Sequence, residues 1–490
     1  MREDRRILLT GATGYVGGKL LRKLEQTGQK INCLARDPSK IQSKASKTFV
    51  FQGDVLERSS MWAAFQGVDT AYYLVHSLGD KNDFEAHEME AAANFASMAR
   101  GAGVRRIIYL GGLGNESDGL SPHLRSRQDV GRVLRNSGVP TLELRASIVL
   151  GAGSLSFEMI RALTEHLPFM VTPKWVSVQA QPIGIRDLLD YLVRALEVEL
   201  PASRVVEIGG ADQVSYRDLM VEYARQRGLR RMMIPIPLLT PWLSSHWLGL
   251  VTPLYAAVGR KLIASIRNST VVEHPESADF FNITPCGMTE AISQALAEEA
   301  LEFKEPSWLD SIAARMQGTG HRVFHDKNRL IDYRCSTAST SPLTLFHVVS
   351  SIGGDNGMFS CNGLWRVREW ADRCLGGRNL RRRRGSELPL TVGEKLDFFQ
   401  VEIVEQDRRI RLKTQMKLPG EAWLEFKVEH SPEGNMFHHA VIYEPKGFMG
   451  LVYWHLTYPI HALVFHGMHK AILREGIRQE YDAAAAMITA

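Results

Sequence analysis

Gly11, Gly14 and Gly17 stand at the end of an apolar run, Ile7-Leu8-Leu9-Thr10, and just before an amphipathic stretch with Val16, Leu20, Leu21 and Leu24 at helical spacing and Gly28 closing it. The order is strand, glycine turn, helix. Glycines let the backbone turn sharply and come close to a ligand, and a helix start then offers N–H groups to a phosphate. The chemistry is therefore capture of a phosphate-bearing cofactor, with Thr10, Gly11, Thr13, Gly14, Tyr15, Val16 and Gly17 as contact residues. An ordinary tight turn uses glycines too, but a strand before and a helix after favour the cofactor. Arg36 bears on which dinucleotide it is. It ends the next apolar run, nineteen residues after Gly17, and Asp37-Pro38-Ser39-Lys40 follows. An acid there would bond the ribose hydroxyls of NAD, and an arginine the 2′-phosphate of NADP. The guanidinium fork suits a phosphate and Lys40 adds a point charge, so NADP is favoured, while the neighbouring Asp37 keeps NAD open.

These residues need elements to hold them. Residues 31–35, 49–52, 71–75, 106–110 and 141–145 read as strands, with helical patterns such as 84–100 between them. Strands alternating with helices imply an α/β fold with a doubly wound parallel sheet of Rossmann type, whose ligand lies at the carboxyl ends of the strands. Asp54 and Val55 follow the third strand. Val75 ends the fourth, and His76 and Ser77 come next, where the chain would pass the cofactor. Further on, 205–210 reads as a short strand and Ser215-Tyr216-Arg217-Asp218 as a capped helix start. Residues 234–258 are apolar, with no acid or base, but Pro235, Pro237, Pro241 and Pro253 interrupt them. A membrane-spanning helix wants about 20 uninterrupted apolar residues. The stretch reads instead as a buried or interfacial lid that with Trp175 makes a hydrophobic wall rather than a sugar-binding surface, and core packing explains the same residues equally well.

At 490 residues the chain is too long for one core, and about three domains are expected. It is 44% apolar and 23% charged, as an ordinary soluble protein is, and its net charge of +5 gives no footprint for nucleic acid. The five cysteines, Cys33, Cys286, Cys335, Cys361 and Cys374, show no C-x-x-C spacing, which suggests buried thiols in a reducing compartment. Met1-Arg2-Glu3-Asp4-Arg5-Arg6 enters the first strand without an apolar leader, so a cytoplasmic location is expected.

The spacing G-x-x-G-x-x-G, here Thr10-Gly11-Ala12-Thr13-Gly14-Tyr15-Val16-Gly17, resembles the short-chain dehydrogenase/reductase superfamily in its extended or atypical, NmrA-like branch. The resemblance covers roughly residues 5–230. It implies that Asp54 contacts the adenine ring. It also implies a serine after the fifth strand and a Y-x-x-x-K pair, in which tyrosine moves the proton while lysine lowers its pKa and holds the nicotinamide ribose. Here the fifth strand runs into Gly111-Gly112-Leu113-Gly114 without that serine. Aligned on 134–140, the next helix puts His123 at the tyrosine and Arg127 at the lysine, still on one helix face. Histidine works as an acid–base near neutral pH; arginine stays charged and can orient a ribose or phosphate but cannot relay a proton. The other reading is a helix that no longer catalyses. Gln181-Pro182-Ile183-Gly184-Ile185-Arg186-Asp187-Leu188 resembles the branch's late segment, where a strand turns into a helix beside the substrate cleft.

From about residue 315 the texture becomes β-type, at 329–336, 395–404, 409–416, 423–428 and 436–443. A final helix carries Ile460, Leu463, Val464, Gly467, Met468, Ala471 and Ile472 along one stripe. An antiparallel sheet with a long terminal helix resembles the START/polyketide-cyclase-like helix-grip fold, an α+β architecture. The segments around Leu418-Pro419-Gly420 and Gly447-Phe448-Met449-Gly450 resemble an uncharacterised domain appended to NAD(P)H-binding proteins. The START-like resemblance implies an apolar cavity between sheet and helix. His438, His439, His455, His461, His466 and His469 invite a metal, but His466 and His469 fall on the polar side of the helix without a carboxylate at ligand spacing, so a solvated face and no metal are expected. Arg378 and Arg381 to Arg384 read as a solvated loop, or as a peripheral contact with lipid headgroups.

The expected organisation is a Rossmann domain over 1–230, a lid and completion of the first unit over 231–314, and the START-like domain over 315–480. Two functions remain. One is an NADP-dependent oxidoreductase acting on a small apolar molecule, a quinone or isoprenoid, with His123 and Arg127 catalytic and the glycine turn, Arg36, Lys40, Asp54, Val55, Val75 and His76 holding cofactor. The other is a cofactor-binding sensor, assembly factor or lipid carrier without turnover.

Overall fold

The computed structural model describes residues 5–41, 43, 45–76, 84–115, 119–235, 268–316, 318–353, 357–360, 363, 390–431 and 434–489. The body of the expected lid, the arginine run at 378–384, Ser77, Cys361 and Cys374 lie outside the described residues, as does the side chain of Trp175. The chain forms two compact units, the first ending at Ala300 and the second running mainly from Leu301 to Ala490.

The first unit opens with β1 (Arg6–Thr10), α1 (Tyr15–Glu25), β2 (Lys30–Ala35), β3 (Thr48–Gln52), α2 (Arg58–Phe65), β4 (Thr70–Tyr73), α3 (Phe84–Gly101), β5 (Arg106–Gly112), α4 (Pro122–Arg135) and β6 (Thr141–Ala146). Then come β7 (Val149–Leu150), α5 (Leu155–His166), β8 (Phe169–Thr172), β9 (Gln179–Ala180), β10 (Ile183–Gly184), α6 (Ile185–Arg194), β11 (Arg204–Ile208), β12 (Val214–Ser215), α7 (Tyr216–Gln226), β13 (Met232–Pro235) and α8 (Met288–Lys304). Seven strands make one parallel sheet in the order β11-β6-β5-β4-β1-β2-β3. Alternate residues of β1 feed opposite cores. Ile7 and Leu9 pack with α1 and α6, and Leu8 packs with α2 and α3. Each such fully buried side chain is worth about 1.5–3 kcal/mol. The order reverses between β1 and β4, so a crevice opens at their carboxyl ends. Thr10 ties the two strands there: its buried hydroxyl donates to the Tyr72 carbonyl at 2.9 Å and accepts from the Leu74 N–H at 3.3 Å. The expected cap at Ser215 is a full capping box with Asp218.

The second unit has α9 (Ser307–Met316), β14 (Gly320–Asp326), β15 (Arg329–Ala338), α10 (Pro342–Ser350), β16 (Lys395–Leu396), β17 (Phe399–Glu405), β18 (Arg409–Thr414), β19 (Gly420–Ser431), β20 (Gly434–Pro445) and α11 (Gly447–Thr489). Its seven strands pair antiparallel in the order β14-β15-β20-β19-β18-β17-β16. Residues 301–314, expected with the first unit, pack here, because Phe303, Trp308, Leu309 and Ile312 bury themselves against Ile331, Tyr333, Trp423 and Ile442. Helices α10 and α11 cover the opposite face through Leu345, Phe346, Val349, Phe465, Met468 and Ile472.

This two-sided cover corrects several expectations. Residues 423–428 alternate apolar and polar along the strand, and all six are buried. Glu425 lies between Arg411, which donates to it at 2.8 Å, and Arg409, and the Arg411 guanidinium sits 4.0 Å from the Phe303 ring centre. On α11, Val464, Met468 and Ile472 face inward, whereas Ile460 and Leu463 are exposed. His469 does not lie on a solvated face. It is 5% exposed, shares a hydrogen bond of 2.8 Å with the Ser336 hydroxyl, and stacks 5.9 Å from the enclosed His439. Among the described residues no group of histidine, cysteine or acidic side chains has the arrangement of a metal site, and no helix is long and apolar enough to cross a membrane.

Burial, with Arg334 and the neighbouring histidines, lowers His469 to about 4, and burial drives His439 well below the usual range. An unfolded histidine titrates near 6.5. As pH falls from about 6.5 toward 4 the unfolded chain binds protons that the folded unit refuses, so stability is complete above that window and declines through it, by about 3 kcal/mol for His469 alone. Acid titration followed by tryptophan fluorescence should show this decline, and His469→Gln, which keeps a donor for Ser336 but takes up no proton, should move the acid midpoint lower. An unchanged midpoint would show that His469 does not carry the effect.

Candidate functional site

The site begins where β1 ends. Gly11 has φ +74°, the region that favours glycine, and a Cβ there would stand 2.5 Å from the Leu74 carbonyl oxygen. A Cβ on Gly17 would stand 2.1 Å from the Gly11 oxygen. The helix can therefore start directly on the turn only if both side chains are absent. Gly14 caps α1 with no side-chain hydrogen bond, and no acid stands in the first turn. The positive end of the helix dipole is left for an anion.

Helix α4 faces this turn. Its N-cap Ser121 accepts from the Leu124 N–H at 3.3 Å, and Pro122 suits the first turn. His123 and Arg127 line one open cleft of about 850 Å³ with Val16 of α1, Gly112, Leu113, Ser147, Ile148, Val149, Tyr216 and Thr270. The Arg127 guanidinium donates to the Leu110 carbonyl, and the Arg127 carbonyl accepts from the Tyr109 hydroxyl at 2.8 Å. Burial pushes the Tyr109 phenol up to about 12, so it stays a donor. The Nε of Arg127 is buried and meets no hydrogen-bond partner among the described residues. With the glycine cradle, that orphaned donor is what a dinucleotide would need. The His123 ring lies 4.7 Å from that of His76, whose Nδ1 is 2.8 Å from Glu88 Oε1.

The structure brings Val16, His123 and Arg127 into one cleft, with His76 behind them. Arg36 and Asp54 stand elsewhere, at the carboxyl ends of the paired strands β2 and β3. Arg36 is exposed, and its side chain makes no hydrogen bond or ion pair with any described residue. Asp37 instead accepts from the Ser39 N–H at 3.2 Å and from its hydroxyl at 2.6 Å, and pairs with Lys40 at 3.4 Å. Asp54 accepts from the Leu56 N–H at 3.0 Å. Thr13 and Gly14 are exposed, and Tyr15 reaches Gly151 of the turn after β7, where a Cβ would meet its hydroxyl at 2.1 Å. Val55 and Val75 are half-buried against the core, and the Thr10 side chain is enclosed. Ser147 and Thr270, whose hydroxyls lie 2.6 Å apart, join from segments more than a hundred residues distant, and no local pattern marks them.

Comparison with known proteins agrees with this geometry. Residues 11–148 match a family described as NAD(P)H-binding. Residues 326–468 match a family described as a protein of unknown function, DUF2867. The chain is 26% identical over 229 residues, 45% of its length, to 74% of a (4-alkanoyl-5-oxo-2,5-dihydrofuran-3-yl)methyl phosphate reductase of Streptomyces griseus subsp. griseus. It is 28% identical over 126 residues, 25% of its length, to sterol demethylase protein B of Methylococcus capsulatus, of which it spans only 38%. The triphenylmethane reductase of a Citrobacter species superposes with a TM-score of 0.50 at 19% identity, over 60% of this chain and 99% of that one; at that identity it speaks for the fold alone. The first unit is a Rossmann-type domain whose residues 11–148 match an NAD(P)H-binding family, and that match points to a nicotinamide dinucleotide as cofactor. Gly17→Ala should lower NADPH affinity at least tenfold, because its methyl group would push α1 off the turn. A fluorescence titration measures this, and unchanged affinity would mean that the phosphates sit elsewhere.

Proposed function

We propose that the chain is an NADP(H)-dependent oxidoreductase of the short-chain dehydrogenase/reductase kind that reduces a small apolar carbonyl or quinone-like molecule. The observation that carries this reading is the shared cleft: Val16 of the glycine-capped helix with His123 and Arg127 of α4. When bound, the dinucleotide supplies a hydride. The chain supplies the rest. The open start of α1 holds phosphate, Arg127 offers its buried Nε to a ribose or phosphate oxygen, and His123 gives a proton to the substrate oxygen. Leu110, Leu113, Leu124, Ile148 and Val149 make much of the wall apolar, which favours an apolar substrate over a sugar.

The preference for NADP rests on Arg36 and Asp37. Hydrogen bonds from Ser39 hold the Asp37 carboxyl below its usual range and engage it locally, which leaves Arg36 to meet a 2′-phosphate. Arg36→Ala should cost about 1.5–3 kcal/mol of NADPH affinity, roughly tenfold or more, and leave NADH affinity unchanged. Calorimetry giving equal affinities for both cofactors in the native protein would overturn the preference.

One observation favours the second reading, a carrier without turnover. The second unit holds a small, partly open apolar pocket between its sheet and α11, lined by Phe398, Met416, Leu424, Tyr443, Trp454, His461 and Phe465. In this reading the unit is a START-like holder for a small apolar molecule. Turnover separates the two. His123→Phe should lower the rate on any acceptor the native protein reduces by about 10²- to 10⁴-fold while leaving NADPH binding intact. If no carbonyl, quinone or enone oxidises NADPH, the carrier reading replaces the enzyme.

A further inference from the structure

Behind His123 runs a chain of buried and half-buried side chains that the reading above does not use. Glu88 of α3 is 8% exposed, close to enclosed for a carboxylate. One of its oxygens accepts from the Ser126 hydroxyl of α4, and the other lies 2.8 Å from His76 Nδ1. His76 in turn packs its ring 4.7 Å from that of His123, at 46°. Of the two imidazoles, it is His123 that lines the cleft.

We propose that Glu88 and His76 are positioning residues for His123, and that the three side chains form one proton-holding unit at the wall of the cleft. The proposal rests on the reading of His123 as the acid–base group. A buried carboxylate needs hydrogen-bond donors, and an ionised one can only accept. Ser126 serves one oxygen. The other therefore selects the His76 tautomer with its hydrogen on Nδ1. Two imidazolium charges at this ring separation repel each other strongly, so the pair takes up its protons in two separated steps. Glu88 holds one charge on His76. The proton on His123 is then the labile one: it passes to the substrate oxygen as hydride reaches the substrate carbon, and His123 recovers a proton from water.

Other groups face the unit. Tyr73 of β4 and Tyr109 of β5 both sense Glu88, and burial keeps both phenols protonated. Arg127 of α4 faces Tyr109 and carries a fixed charge. None of these three changes charge near neutrality.

The test uses the full chain with isotope-labelled histidine, titrated by NMR from about pH 5 to pH 9 with and without NADPH, with His76→Asn and His123→Asn assigning the signals. The native protein should show His76 and His123 each responding to the other's titration. In Glu88→Gln, which keeps an acceptor but no charge, the His76 step should move to lower pH and the two steps should draw together. Ser126→Ala, which keeps the charge, should move the same step less. NADPH titration of each variant reports that the fold survives. On any acceptor that the native protein reduces, Glu88→Gln should lower kcat about tenfold or more, leave KM unchanged and shift the pH–rate profile. Independent single-step titrations in the native protein, or a His76 step that neither variant moves, would overturn the proposal even with turnover intact. An absence of any NADPH oxidation would overturn the enzyme reading instead, and the titration would still decide whether the coupled unit exists.

Discussion

Gly17 lies where a methyl group has no room. The space a Cβ would take ends 2.1 Å from the Gly11 oxygen, and the space of a Cβ on Gly11 ends 2.5 Å from the Leu74 oxygen. Three segments, the end of β1, the start of α1 and the chain leaving β4, are thus pressed to contact distance. That compression sets the positive end of α1 at the point where the sheet reverses its order, which is where a parallel sheet opens a crevice. It also brings the residue that follows β4 by three positions, His76, beside the crevice. The cleft is a consequence of where two side chains are missing.

The second determinant is buried charge. Glu143 on β6 is fully enclosed, with Arg145 donating to it at 2.8 Å and Arg135 of α4 beside it. Gly131 of α4 packs so close that a Cβ would come 2.3 Å from that carboxylate. His123, Arg127 and Gly131 are spaced four residues apart and share one face of α4, so the contact that seats Gly131 on Glu143 also aims His123 and Arg127. Burying these ions carries a desolvation cost that only good pairing offsets, and losing one partner leaves the others uncompensated, at about 3–5 kcal/mol. The Arg409–Glu425–Arg411 group beneath α9 follows the same rule in the second unit. Such groups specify where a helix sits more than they add stability.

The parts legible in the sequence are those that local chemistry fixes. Ile7 to Gly17 announce strand, turn and helix because glycine sterics and helical periodicity act within a few residues. Ser215 and Asp218 announce a capping box for the same reason. The His123 and Arg127 pair is legible because four residues are one helical turn. What could not be read depends on partners far along the chain. Glu88 meets Ser126 only because α3 packs on α4. The alternation of 423–428 shows two faces, and nothing within the strand says that α9 covers the polar one. His469 looks solvated among polar neighbours on its helix, and it is buried because Ser336 and His439 come from two strands of the facing sheet. Residues 301–314 read as the tail of an α/β unit because they are helical, and only Phe303 and Trp308 reaching Trp423 place them with the second sheet.

The exchange of tyrosine and lysine for His123 and Arg127 has a physical consequence that runs through the rest of the cleft. A lysine can lower the pKa of a neighbouring phenol and can itself pass a proton; a guanidinium keeps its proton throughout. Arg127 moreover spends part of its donor set on the Leu110 carbonyl, so it is fixed in place. In the proposed reading the proton comes from an imidazole, whose charge changes within the neutral range and is sensitive to any carboxylate or cation nearby. A single histidine on an open wall would leave that supply to bulk pH. In the proposed unit a second imidazole backed by the largely buried Glu88 carboxylate adds a local control on that charge. The hydroxyl of Ser126 lies on the helix that carries His123, so the helix that lines the cleft also holds the Glu88 carboxylate.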